Sequence, residues 1–156
     1  MSTKQITIKA PEGHVIDKFD ESTGTVTFKP SPKNVKERIL TFEDVLKEAN
    51  IDPEEFNKSL VGLSADEVAY RKIKLIAKVF NEDWIPDWTN SNEPKYYPWF
   101  KMGSSSGAGF SYSGYDYWRT YSSAGSRLCF KSSDLAEHVG KLFIDDYRDF
   151  LTLNID

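Results

Sequence analysis

The sequence predicts an α+β fold: an N-terminal β-hairpin or meander arm, short helices, and a C-terminal antiparallel sheet with a closing helix. Three observations predict it. Apolar and polar residues alternate up to Lys29, and helix-start signatures then recur between Thr41 and Glu67. Beyond Trp84 an aromatic stretch broken by glycine and serine precedes a last amphipathic segment. The expected divisions are an arm over residues 1–30, a helical segment over 31–83, and an aromatic-rich strand-strand-strand-helix module over 84–156.

Within the arm, Ile6 and Ile8 fall on one side and Gln5, Thr7 and Lys9 on the other, the pattern of a half-buried strand. Pro11 and Gly13 break it. Val15 to Phe19 and Thr25 to Lys29 read as two further strands, with Val26 and Phe28 inward, joined through Gly24, which can take a turn conformation at positive φ. Lys29-Pro30-Ser31-Pro32 is a linker signal, because paired prolines disfavour both helix and ladder. Thr41 with Asp44 caps a short helix carrying Phe42, Val45 and Leu46, and Asp52-Pro53 suits the start of another with Phe56 and Leu60. Ser64 with Glu67 forms a capping box that opens a helix with Ala69, Ile73, Ile76 and Phe80 in one stripe. Arg71, Lys72, Lys74 and Lys78 decorate its other sides and read as a solvated face.

The composition shifts at Trp84: 13 of the chain's 22 aromatic residues lie between 84 and 130, a twofold enrichment that requires either a sheet core or a binding surface. Tyr96 to Met102, Phe110 to Tyr121 and Arg127 to Lys131 read as three strands, the first two joined by a mobile Gly/Ser connection. Ser132-Ser133-Asp134 with Glu137 starts a single helix to about Leu151, with Ala136, Gly140, Phe143, Tyr147 and Phe150 on one face.

A length of 156 residues, 39% hydrophobic and 28% charged, fits one soluble domain, or a domain with an arm, that folds without a metal or disulfide. Its single cysteine, Cys129, cannot bridge internally. No stretch reaches the ~18 apolar residues of a membrane span, and Met1-Ser2-Thr3-Lys4-Gln5 lacks a secretory core, so no membrane association and an intracellular location are expected. A net charge of -4 argues against broad electrostatic binding to nucleic acid or anionic membrane.

Chemistry-bearing residues are sparse. Cys129, on the expected third strand beside Arg127 and Lys131, could be activated by its cationic neighbours with His138 as base, although no glycine-bounded elbow surrounds it. His14 and His138 have no second ligand at turn or helical spacing, so neither metal nor cofactor is expected. Asp145 and Asp146 are adjacent and so do not share a helix face, which makes the cluster they form with Asp149 a solvated surface rather than a carboxylate pair. The glycines from 103 to 109 lack the lysine of a phosphate loop.

Tyr112, Tyr115, Tyr117, Trp118 and Tyr121 cannot all point inward, because strand alternation sends neighbours to opposite faces. With Arg119, Arg127 and Lys131, and Lys101 nearby, the outward rings would form a platform. Its near-neutral charge favours a small ligand or a protein over long nucleic acid, and a protein partner or self-association is the first expectation. A nucleotide or short single-stranded nucleic acid is the alternative.

Two stretches carry a resemblance. Pro11-Glu12-Gly13-His14-Val15-Ile16-Asp17, closing with Val26-Thr27-Phe28-Lys29-Pro30, resembles an N-terminal arm of accessory proteins from phages and prophages of gut Bacteroidetes. Trp84-Ile85-Pro86-Asp87-Trp88-Thr89-Asn90, Lys95-Tyr96-Tyr97, Gly125 to Ser132 and the helix Leu135 to Phe143 are similar to a module of the same group. The resemblance covers about half the chain. It implies a virus-encoded accessory protein in the cytoplasm of an infected bacterial host, or one carried in the virion, and it transfers no catalytic residue.

Overall fold

The computed structural model describes residues 6–31 and 33–153, and the chain divides into two compact units that meet between Asn34 and Val35. In the first, β1 (His14–Asp20) pairs antiparallel with β2 (Thr25–Pro30). The Asp20 carboxylate organises the turn by accepting from the Ser22 amide (2.9 Å), the Ser22 hydroxyl (2.6 Å) and the Thr23 amide (3.3 Å). Gly24 closes it at φ +68°, a region its lack of a Cβ makes accessible.

A bulge at Asp17 sets Ile16 opposite Phe28 and Phe19 opposite Val26. Cross-strand partners share a face, so these four side chains line one side of the hairpin. Val26 and Phe28 are half-buried there. The strand expected at Ile6 and Ile8 is absent: both are exposed, no ladder partner is present for them among the described residues, and Pro11 supplies no amide to extend pairing. Gln5 and Pro32 lie outside the described residues.

The second unit begins with three short helices, α1 (Val35–Arg38), α2 (Phe42–Glu48) and α3 (Pro53–Ser59), followed by the longer α4 (Ala65–Asn81). Their starts are chemically determined. Thr41 and Asp44 form the expected capping box, the Asp52 carboxylate accepts from the amides of Glu54 and Glu55, and Ser64 pairs with Glu67. Strands β3 (Lys95–Lys101) and β4 (Ser111–Trp118) then form an antiparallel hairpin, followed by α5 (Ser133–Leu142) and α6 (Ile144–Leu151).

One core joins the helices to the aromatic module: Ile73, Ile76 and Phe80 of α4 pack with Phe130, Val139 and Phe143. The expected division at residues 83 and 84 therefore does not separate two bodies. The last helix is not continuous either. Phe143 leaves helical dihedrals (φ -110°, ψ 35°) while its ring, buried against Phe80 at 6.1 Å, separates α5 from α6.

The expected third strand is reduced to a single bridge in which Tyr96 and Phe130 exchange both backbone hydrogen bonds (3.0 and 2.7 Å). Asn81, buried at the end of α4, stops the ladder on both sides: its Nδ2 donates to the Cys129 carbonyl (2.7 Å) and its Oδ1 accepts from the Lys131 amide (2.9 Å). Without a strand, period-2 alternation fails, and Cys129 and Phe130 are both fully buried. The Gly/Ser connection is internally hydrogen-bonded, with the Ser104 amide donating to the Ala108 carbonyl (3.0 Å) and Gly107 packed on Thr152.

Candidate functional site

The β3–β4 hairpin places most of the expected platform. A bulge at Ser113 sets Tyr112 opposite Phe100, while Tyr115 faces Pro98 and Tyr117 faces Tyr96. These six residues share one face, and α5 lies on its inner end: a Cβ on Gly140 would stand 2.6 Å from the Pro98 Cβ. Tyr112 is consequently half-buried, with the Lys141 ammonium 5.3 Å from its ring centroid, and burial raises its phenol pKa above the ordinary value, helped by Glu137.

Tyr115 and Tyr117 extend past that cover and flank Tyr96, each 5.7 Å from its ring. Trp118 lies on the opposite face across from Lys95, and Tyr121 follows the strand. Their exposures are 47% for Tyr115, 45% for Tyr117, 42% for Trp118 and 80% for Tyr121. The rings therefore wrap around an edge rather than tile one plane. Trp99, 55% exposed opposite Gly114, belongs with them. Sequence reasoning missed it, although its position between Pro98 and Phe100 already puts it on the face opposite theirs. Tyr97 shares the face of Trp99, but it is buried with its hydroxyl lacking a hydrogen-bond partner, and desolvation pushes its pKa up to about 12.

The three expected cations do not gather on this surface. The Arg119 guanidinium lies 5.8 Å from the Tyr117 ring centroid, and its Nη1 donates to the Ser91 carbonyl (2.9 Å). Lys131 is paired with Glu82 (2.8 Å), which also meets Arg38 at 3.5 Å. The Lys131 hydrogen bond, and then the Arg38 charge, hold the Glu82 carboxyl below its usual range. Arg127 lines a different feature, an open groove of about 1330 Å³ along α4 whose walls include Tyr70, Lys74, Lys78, Trp84 and Phe150.

Lys95 fixes the loop beside the hairpin. Its fully buried ammonium donates to the carbonyls of Asp87, Glu93 (2.8 Å) and Asn90 (3.4 Å), and it pairs with the Glu93 carboxylate at 3.2 Å. It also stands 5.3 Å from the Trp88 ring centroid, while the Trp88 indole N–H donates to the Ser126 hydroxyl (2.6 Å).

Cys129 does not have the environment of a nucleophile. Burial pushes its thiol pKa up to about 11, and its Sγ lies 3.7 Å from the Ser126 carbonyl. His138 packs on Phe80 at 5.8 Å, with its pKa lowered chiefly by desolvation and then by Lys36. Asp146 is taken by Lys72 (3.0 Å) and Asp145 by Arg148 (3.0 Å). Among the described residues no group of His, Cys, Asp or Glu side chains converges as a metal site, and no helix is long and apolar enough to cross a membrane. The chain matches no protein-family model, and neither a curated protein nor a solved structure is detectably similar to it.

Proposed function

We propose that this chain is a non-catalytic binding protein that engages a partner protein through the aromatic edge of the β3–β4 hairpin. One observation carries the reading: Tyr115, Tyr117, Trp118 and Tyr121 are all more than two fifths exposed, on or just beyond a strand that has β3 as its one ladder neighbour among the described residues. Large exposed rings around a strand edge offer contact area at low entropic cost and an unpaired backbone for strand addition. Nucleotide or single-strand binding is the weaker alternative, because Arg119 and Lys131 are already engaged and exposed Asp116 sits between Tyr115 and Tyr117. The phage resemblance supports a virus-encoded accessory role in the cytoplasm of an infected bacterial host, where host and viral proteins are the available partners.

The test begins with the protein recovered alongside this chain from infected cells, purified and titrated against wild type and the Tyr115→Ser/Tyr117→Ser and Trp118→Ser variants. Affinity should fall at least about tenfold in the variants while thermal midpoints move little, as expected for interface anchors. It should also change little between ~50 and ~200 mM salt. Full-strength binding by both variants, or thermal stabilisation of the chain by nucleotides or oligo-dT, overturns the reading.

A further inference from the structure

We propose that the groove along α4 is a second docking site, independent of the hairpin edge, and that its occupant is an acidic amphipathic helical segment of a partner protein. Its shape is the first argument. The groove follows α4 from Asp66 to Asn81 and continues past Trp84 to Pro86. A helix of 17 residues spans about 25 Å, so the groove is elongated, and its 1330 Å³ exceeds the roughly 300–1000 Å³ of small-ligand pockets. Phe56, Tyr70, Leu75, Trp84 and Phe150 give it an apolar lining, with the Tyr70 and Phe150 rings 5.8 Å apart.

Charge is the second argument. Arg71, Lys74 and Lys78 recur at i, i+3 and i+7 on α4, and Arg127 joins them from the loop before α5. None of the four forms an ion pair among the described residues, whereas Lys72, Lys131, Lys141 and Arg148 in the same unit all do. Arg71 donates to the Ser59 carbonyl (3.0 Å) and Lys74 lies 5.8 Å from the Tyr70 ring centroid, which leaves Lys78 and Arg127 the more open cations. Of the acidic lining, one carboxylate is capped and one is matched by cations. Glu67 accepts from the Ser64 amide and hydroxyl (both 2.9 Å), and Glu82 is matched by Lys131 and Arg38. That leaves Asp66 and Glu67, still anionic beside Arg71, near one end and Asp83 near the other, with Lys74, Lys78 and Arg127 as a basic middle on a chain whose overall charge is -4. A helix whose apolar face enters such a groove at i, i+3, i+4 and i+7, with acidic residues flanking that face, satisfies both the lining and the rim. A nucleic-acid strand fits less well, since aliphatic Ile51, Leu75 and Ile85 interrupt the rings of the lining and suit an apolar helix face better than a run of stacked bases.

The probe is a labelled helix-forming peptide of about 18 residues, with Leu and Trp on one face and Glu on its flanks, titrated by fluorescence anisotropy against the full chain. A control peptide carries Gln at every Glu. The acidic peptide should bind saturably and more weakly as salt rises, and at least about tenfold more weakly to Lys74→Glu/Lys78→Glu and to Arg127→Glu. Tyr115→Ser/Tyr117→Ser should bind it as wild type does, which keeps this result separate from the hairpin reading. Lys74 and Lys78 are exposed, so thermal midpoints should hold. If they do not, Lys74→Gln/Lys78→Gln replaces the reversal and should still weaken binding. Equal binding of the Gln peptide, wild-type affinity in the charge variants, no saturable binding, or tighter groove-dependent binding of oligo-dT overturns the proposal.

Discussion

Lys95 has no solvent exposure, and removing an ammonium from water costs several kcal/mol unless carbonyls and a counter-charge replace its hydration. Here the carbonyls of Asp87, Asn90 and Glu93 and the Glu93 carboxylate do so, and the cost of desolvation becomes the means of fixing a loop with no regular structure. Replacing Lys95 by Met keeps the apolar stem and strands those acceptors. Urea unfolding should show a loss of about 3 kcal/mol, the lower end for a buried pair broken on one side because Glu93 retains some water. Trp118→Ala should cost much less than the ~3–5 kcal/mol of a buried tryptophan, since two fifths of its surface is already solvated. Equal losses in the two variants would contradict the placement of these side chains. Cys129 yields a kinetic prediction: fully buried and with its thiol pushed up to about 11, it should resist alkylation at neutral pH until the protein unfolds. Fast labelling of the native chain would restore the case for a reactive thiol.

Among the elements, α5 shows two local effects in competition. Alanine is favoured over glycine inside a helix by about 1 kcal/mol, so propensity alone makes Gly140→Ala stabilising. The added Cβ would stand 2.6 Å from the Pro98 Cβ and 2.9 Å from a Tyr112 ring carbon, and the proline cannot rotate away. Overpacking costs about 1–3 kcal/mol and outweighs propensity, so the variant should unfold at lower urea. A rise in stability would mean that α5 does not rest on Pro98. The elements legible in the sequence are those whose ends are set within a few residues: Thr41 with Asp44, Asp52 with Pro53, Ser64 with Glu67, and the alternation around the two hairpins. The lost third strand was not legible, because Asn81, some fifty residues earlier, takes the backbone groups on either side of Phe130. Several of the expected tyrosines are exposed, but for a reason other than alternation: the bulge at Ser113 puts Tyr112, Tyr115 and Tyr117 on one face, where α5 covers the first and leaves the others. The basic groove depends equally on distance, since Arg127 and Phe150 meet the α4 cations through folding alone.

At the scale of the molecule, the shifted groups act in one direction on each side of neutrality and so define a stability plateau. The pKa of His138 lies below its ordinary 6.5 because burial, and then Lys36, oppose its charged form, with Asp134 acting weakly the other way. The unfolded chain therefore binds this proton more readily, and stability present above about 6.5 falls as pH drops through that value toward the folded pKa. The carboxyls of Asp44, Glu67 and Glu82 are lowered by capping hydrogen bonds and by Lys131. Their contribution is present above their ordinary 3.8 to 4.5 and is lost as pH falls through their folded values, which adds a second and more acidic step. On the alkaline side Cys129 and Tyr97 are raised from 9.0 to about 11 and from 10.0 to about 12, so the unfolded chain ionises first and stability declines as pH rises above 9.0. Urea midpoints measured across pH should therefore be level between about 6.5 and 9.0 and fall on both sides. In His138→Gln the step just below 6.5 should vanish while the carboxylate step remains, and in Cys129→Ala the onset of the alkaline fall should move toward the tyrosine range. Persistence of the first acid step in the histidine variant would assign it to a group other than the imidazole packed on Phe80.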